Sequence, residues 1–174
     1  MWFFRLRPWI ATLFALLGLL LHVQLGWQAA WYLYVTALIL VLTHFLFGTV
    51  VQAFQALRKG KPQQARMLLT QIRRPEWLLK GHRAYYYFVS GMLALNDKQV
   101  HYGKQDLQKS LQLGLRSVQD KALATLNLAH ACFTEGLYPE ARQHLQTARG
   151  FEINDLVLKK HLDELEEALR RNNA

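Results

Sequence analysis

Acidic residues are missing from the first 54 positions, where the only charged side chains are Arg5 and Arg7. Cysteine is nearly missing too: Cys132 is the single thiol, which excludes an intrachain disulfide and a cysteine-based zinc site. A lone thiol suits a reducing compartment. No alternating apolar–polar stretch of useful length occurs, so the pattern is helical and not that of strands. Catalytic signatures are absent as well. There is no His-Glu-x-x-His, Cys-x-x-Cys or Gly-x-Ser-x-Gly, and Lys59-Gly60-Lys61 lacks the glycine framework and the following Ser or Thr of a phosphate loop. The sequence therefore predicts no catalytic residue, no metal, no cofactor and no enzymatic activity.

Charged residues make up 19% of the chain and hydrophobic residues 52%, and neither is spread evenly. Residues 55–118 hold twelve Lys/Arg against three Asp/Glu, while residues 119–174 hold seven against nine. A basic excess suits either nucleic acid or an anionic membrane surface. Its position directly after a hydrophobic segment favours the membrane. A nucleic-acid binder more often shows a basic stripe interleaved with aromatics and no anchor, so no nucleic-acid partner is expected.

Trp9 to Trp27 and Ala30 to Phe54 carry no charge, and each approaches the roughly 20 residues a helix needs to cross a bilayer. Residues 1–54 thus predict a transmembrane helical hairpin with helices over about 9–27 and 30–54. Trp9, Trp27, Trp31, Tyr32 and Tyr34 stand near the segment ends, where amphipathic rings favour the headgroup layer. Basic residues flank both outer ends, which places both termini in the cytoplasm. A cleaved signal peptide is disfavoured because Gln28-Ala29-Ala30 puts Gln at the −3 position. His22 and His44 lie too far apart along such a hairpin to share a ligand. Gly18 and Gly48 would allow close helix approach.

Downstream, Asn127-Leu-Ala-His-Ala-Cys-Phe-Thr-Glu-Gly-Leu-Tyr-Pro-Glu-Ala-Arg-Gln-His-Leu-Gln-Thr-Ala148 resembles a tetratricopeptide (TPR) motif. Ala129 falls on the small residue of the first helix, Gly136 on the turn and Tyr138 on the aromatic after it. Ala141, Leu145 and Ala148 fall on the small-large-small positions of the second helix. Gly91 and Ala53 lie 38 and 76 residues before Ala129 and mark two weaker copies. The earliest copy uses Gly60, Ala65, Leu69 and Ile72. The middle copy aligns with about four extra residues around Asn96 to Lys104, which places Leu107 where alanine is usual and matches Leu107, Leu111 and Gly114 to its second helix. The resemblance implies about three TPR-like helix pairs over 50–153, the second membrane helix running into the first, and a capping helix and tail over 154–174. Leu158, Leu162, Leu165 and Leu169 share one face of that cap. The expected fold is all-α: an N-terminal transmembrane hairpin, a short TPR-like α-solenoid and a C-terminal capping helix. The layout is similar to that of bacterial membrane-anchored TPR proteins, including HemY-like proteins.

The TPR family binds peptides or protein surfaces along the first helices of its repeats. That implies a groove of Tyr85, Phe88, Met92, Asn127, His130 and Phe133 for a protein or peptide partner. The basic residues of carboxylate-clamping TPRs are absent, since Tyr85 and Leu123 stand in their places. Arg58, Lys59, Lys61, Arg66, Arg73, Arg74, Lys80 and Arg83 form a basic set that, with Trp77, suits a lipid headgroup layer. The sequence thus predicts a membrane-tethered interaction module or scaffold at the cytoplasmic face of a bacterial inner membrane, with the bilayer and a protein as partners. The alternative is an accessory subunit of a larger membrane complex, packed through the hairpin.

Overall fold

A computed structural model describes residues 10, 12–14, 16–20, 22–23 and 27–172, with the side chains of 27–30 and 40–48 excepted. The described backbone is helical and turn-like, without strands. Beyond helical backbone at 12–14, 16–20 and 22–23, the elements are α1 (Trp27–Arg58), α2 (Pro62–Thr70), a 3-10 turn (Pro75–Trp77), α3 (Lys80–Asn96), α4 (Val100–Leu113), α5 (Val118–Thr134), α6 (Tyr138–Arg149) and α7 (Leu156–Arg171). They divide into two compact units, Met1–Gln52 and Ala53–Ala174.

The expected transmembrane hairpin is corrected. Among the described residues no helix is long and apolar enough to cross a membrane. In α1, Gln52, Gln55 and Arg58 interrupt the apolar pattern, and Ala53 and Ala56 are built into the core of the second unit. The inner-membrane location with cytoplasmic termini, which rested on that hairpin, is corrected with it. Within the first unit, Gly18 lies against Tyr34 and Leu33: a Cβ there would come 3.1 Å from the Tyr34 ring. The His22 ring lies 6.4 Å from that of Tyr34. The side chain of His44 lies outside the described residues.

The second unit repeats with a period of 38 residues. Three helices end in the same way. The amides of Lys61, Gln99 and Leu137 donate to the carbonyls of Ala56, Ala94 and Cys132 at 3.0, 2.9 and 2.9 Å. The amides of Gly60, Lys98 and Gly136 donate to Leu57, Leu95 and Phe133. Gly60, Lys98 and Gly136 have φ of 67°, 61° and 77°. This is the left-handed helix stop in which a six-to-one bond satisfies an orphan carbonyl. The next helix then starts at Pro62, Val100 and Tyr138. Helices joined by so short a turn run antiparallel.

The packing residues obey the same period. Ala53, Gly91 and Ala129 are buried on the first helix of each pair; Ala65, Gly103 and Ala141 are buried on the second, with Leu69, Leu107 and Leu145 one turn later. Small residues at the first two sets let the helix axes approach. At Gly91 the approach is close: a Cβ would come within 2.9 Å of the Leu107 side chain and 3.0 Å of the Gly103 carbonyl. The longer middle turn expected from sequence is therefore absent. Asp97–Lys98–Gln99 is the same turn as the other two, Gly103 takes the alanine position, and Leu107 sits where the pattern requires leucine.

The last helix keeps the register. The residues preceding α3, α5 and α7 are Leu79, Ser117 and Asp155, again 38 apart. Ser117 accepts the Asp120 amide, and Asp155 accepts those of Val157 and Leu158, so the latter two helices carry side-chain N-caps. α7 is thus the first helix of a fourth unit. It buries Leu158, Leu162, Leu165 and Leu169. Where Ala129 and Cys132 are buried in the third unit, the fourth has the charged Glu167 and Arg170.

Candidate functional site

The first helices of the four units line one continuous concave surface. Rows of equivalent residues run across it: Phe54, Met92, His130 and Ala168; then Leu123 and His161; then Phe88, Leu126 and Glu164. The larger lobe, about 530 Å³, has a floor of Met92, Leu123, Leu126 and Phe133 and polar walls of Asn127, His130, His161 and Glu164. The smaller lobe, about 230 Å³, shares Met92, Leu123 and His161 and adds Phe54, Leu57 and Phe88 with the charged groups Arg58, Asp120 and Asp155.

Four of the six groove residues expected from sequence, Met92, Asn127, His130 and Phe133, meet in the larger lobe. Asn127 is oriented by its own helix, its Nδ2 donating to the Leu123 carbonyl at 2.8 Å. The rings of His130 and Phe133 lie 6.5 Å apart, and Phe133 meets Tyr138 at 5.7 Å. Phe88 borders the smaller lobe but is only 1% exposed. It serves the core, edge-on to Phe54 at 5.8 Å. Tyr85 lies outside both lobes. Its ring packs on Phe54 at 5.1 Å, and its hydroxyl donates to Asp120 Oδ2 at 2.6 Å. Burial, reinforced by the Asp120 carboxylate, pushes the Tyr85 phenol up to about 12. Tyr85 therefore ties α3 to the start of α5.

The residues of α7 went unnoticed in the sequence as groove residues. His161, Glu164, Leu165 and Ala168 form a whole wall. The 38-residue offset from Leu123, Leu126, Asn127 and His130 is the signal that would have found them.

The basic set falls in groups along the chain. Arg58, Lys59 and Lys61 stand at the turn after α1; Arg73 and Arg74 stand in the link after α2, and Lys80 and Arg83 in the first turn of α3. The nine residues of α2 span about 13 Å between those ends. Arg66 is ion-paired with Asp97. Arg74 covers the exposed Trp77 ring at 4.8 Å, and Arg58 lies 5.6 Å from the Phe54 ring.

A second polar cluster sits between α4, α5 and α6. Lys104 Nζ donates to Glu135 Oε2 at 2.7 Å, and the Cys132 thiol reaches Glu140 Oε2 at 3.7 Å. Burial pushes the Cys132 thiol up, which keeps it protonated and poorly nucleophilic at neutral pH. Burial pulls His144 down. Among the described residues no group of His, Cys, Asp and Glu is arranged to hold a metal ion. What the concave surface is equipped to do is exclude water from an apolar segment and orient it with a few polar groups.

Comparison with known proteins adds no relative: no family model, no curated protein and no solved structure matches the chain.

Proposed function

We propose that this chain is a helical-repeat interaction module of the tetratricopeptide kind, whose concave groove holds a segment of a partner protein. The observation that carries this reading is the ladder of 38-residue-spaced side chains that turns four first helices into one apolar-floored groove. Repeats of this type convert a small rotation per unit into an extended binding surface, and apolar floors with sparse polar groups are what peptide grooves use. The test is a photoreactive amino acid at His130, in the full-length chain, with Lys159 on the outer face of α7 as control. A discrete cross-linked protein from His130 and none from Lys159 supports the module. Equal or absent cross-linking from both contradicts it.

A second reading, a structural subunit of a larger assembly, rests on α1. Trp31, Tyr32, Val35, Leu38 and Ile39 of that helix are 43–59% exposed, an apolar face of the kind that marks a contact with another chain. A stable stoichiometric complex on native size analysis, unaffected by groove substitutions, would favour it.

A further inference from the structure

We propose that the groove selects a segment that is both apolar and cationic, so that the partner carries Lys or Arg beside its hydrophobic anchors; this rests on the groove-binding reading above. The chain as a whole is strongly basic, with a formal charge of +9. Its groove has the opposite balance. The ionised side chains lining the two lobes are Asp120, Asp155 and Glu164 against Arg58, a formal sum of −2.

Two of the three carboxylates are fixed by the fold. Asp155 is pinned by the amides of Val157 and Leu158, both taken by Oδ1. Asp120 is held by the Tyr85 hydroxyl on Oδ2. Glu164 meets Lys160 only at 3.7 Å, with 57% of its side chain exposed, so its charge is only loosely matched. A cleft of one sign with apolar walls concentrates the field inside it and favours the complementary charge. An acidic segment would be drawn to the basic outer surface and repelled from the groove, whereas a cationic one is admitted.

The experiment uses the full-length chain and two fluorescent Ser/Gly peptides that share the same leucine positions and carry either lysines or glutamates between them. Binding is followed by anisotropy at two salt concentrations. The Lys peptide is expected to bind about tenfold more tightly than the Glu peptide, an advantage that shrinks at higher salt. The double substitution Asp155→Asn/Glu164→Gln should remove most of that advantage; Asn keeps the helix cap, and Glu164→Gln alone is the fallback should the double variant lose its helical spectrum. Equal or tighter binding of the Glu peptide, or a Lys preference that survives both substitutions, overturns the charge assignment while leaving the groove itself in place. Binding of neither peptide overturns the charge assignment too, and the cross-link from His130 then decides separately whether the groove binds protein at all.

Discussion

Met1–Gln52 and Ala53–Ala174 are both rich in large apolar side chains, yet the described ones contribute unequally to a packed core. In the first unit Leu16, Val23 and Leu38 are 63%, 79% and 59% exposed; in the second Phe88, Leu107 and Leu128 are 1% exposed or less. Hydrophobic content does not separate the two regions. What separates them is the spacing of small residues. Ala53, Gly91 and Ala129, with Ala65, Gly103 and Ala141 opposite them, recur every 38 residues and let paired helices close on their leucines. A packed core needs shape complementarity as well as oiliness. In the first unit a comparable approach is described only where Gly18 meets Tyr34.

The contrast is sharpest in a pair of leucine truncations. Leu107→Ala opens a cavity under Gly91 and should cost about 2–5 kcal/mol in chemical denaturation. Leu38→Ala removes an exposed side chain and should change stability by no more than about 0.5 kcal/mol. Similar losses at the two sites would break the comparison.

Gly91→Ala comes next in size. The added methyl would press on the Gly103 carbonyl, which is backbone and cannot swing aside, so about 1–3 kcal/mol should be lost. A neutral outcome would mean that α3 and α4 are not in close contact at this point.

The smallest effects fall on the turns. Gly136→Ala forces a side chain into left-handed backbone and should cost about 1 kcal/mol, although nothing lies within 4 Å of the new methyl. Lys98→Gly, at the equivalent position, should stabilise by up to about 1 kcal/mol, because lysine pays there for a conformation that glycine adopts freely. Opposite signs at two equivalent positions would confirm that the turns share one geometry; the same sign would deny it.

That lysine also explains what could be read in advance. The helical character, the small residues at 53, 91 and 129, and the cap's leucine stripe are legible because each is a residue-type signal repeated in register. The middle turn was not legible, since its left-handed residue is Lys98, without the glycine that marks this stop at Gly60 and Gly136. With the marker missing, extra residues were assigned to the turn and Leu107 shifted off its true position. The groove was legible where side chains simply follow the first-helix period, as at Met92, Asn127, His130 and Phe133. It was not legible at Tyr85, whose hydroxyl bonds Asp120, 35 residues away, nor at α7, whose charged composition reads as a cap although its register is that of a fourth first helix. The N-terminal expectation failed because an uncharged run reports solvent preference only. Among the described residues no helix is long and apolar enough to cross a membrane.

Residue-resolved amide hydrogen exchange at Lys61, Gln99 and Leu137 tests the 38-residue repetition most directly. All three amides close the same six-to-one bond, at 3.0, 2.9 and 2.9 Å, so all three should be protected well beyond the exposed link residues Arg73 and Arg74. Protection at Lys61 and Leu137 with unprotected exchange at Gln99 would show a middle turn of a different kind, and the uniform array described above would be wrong.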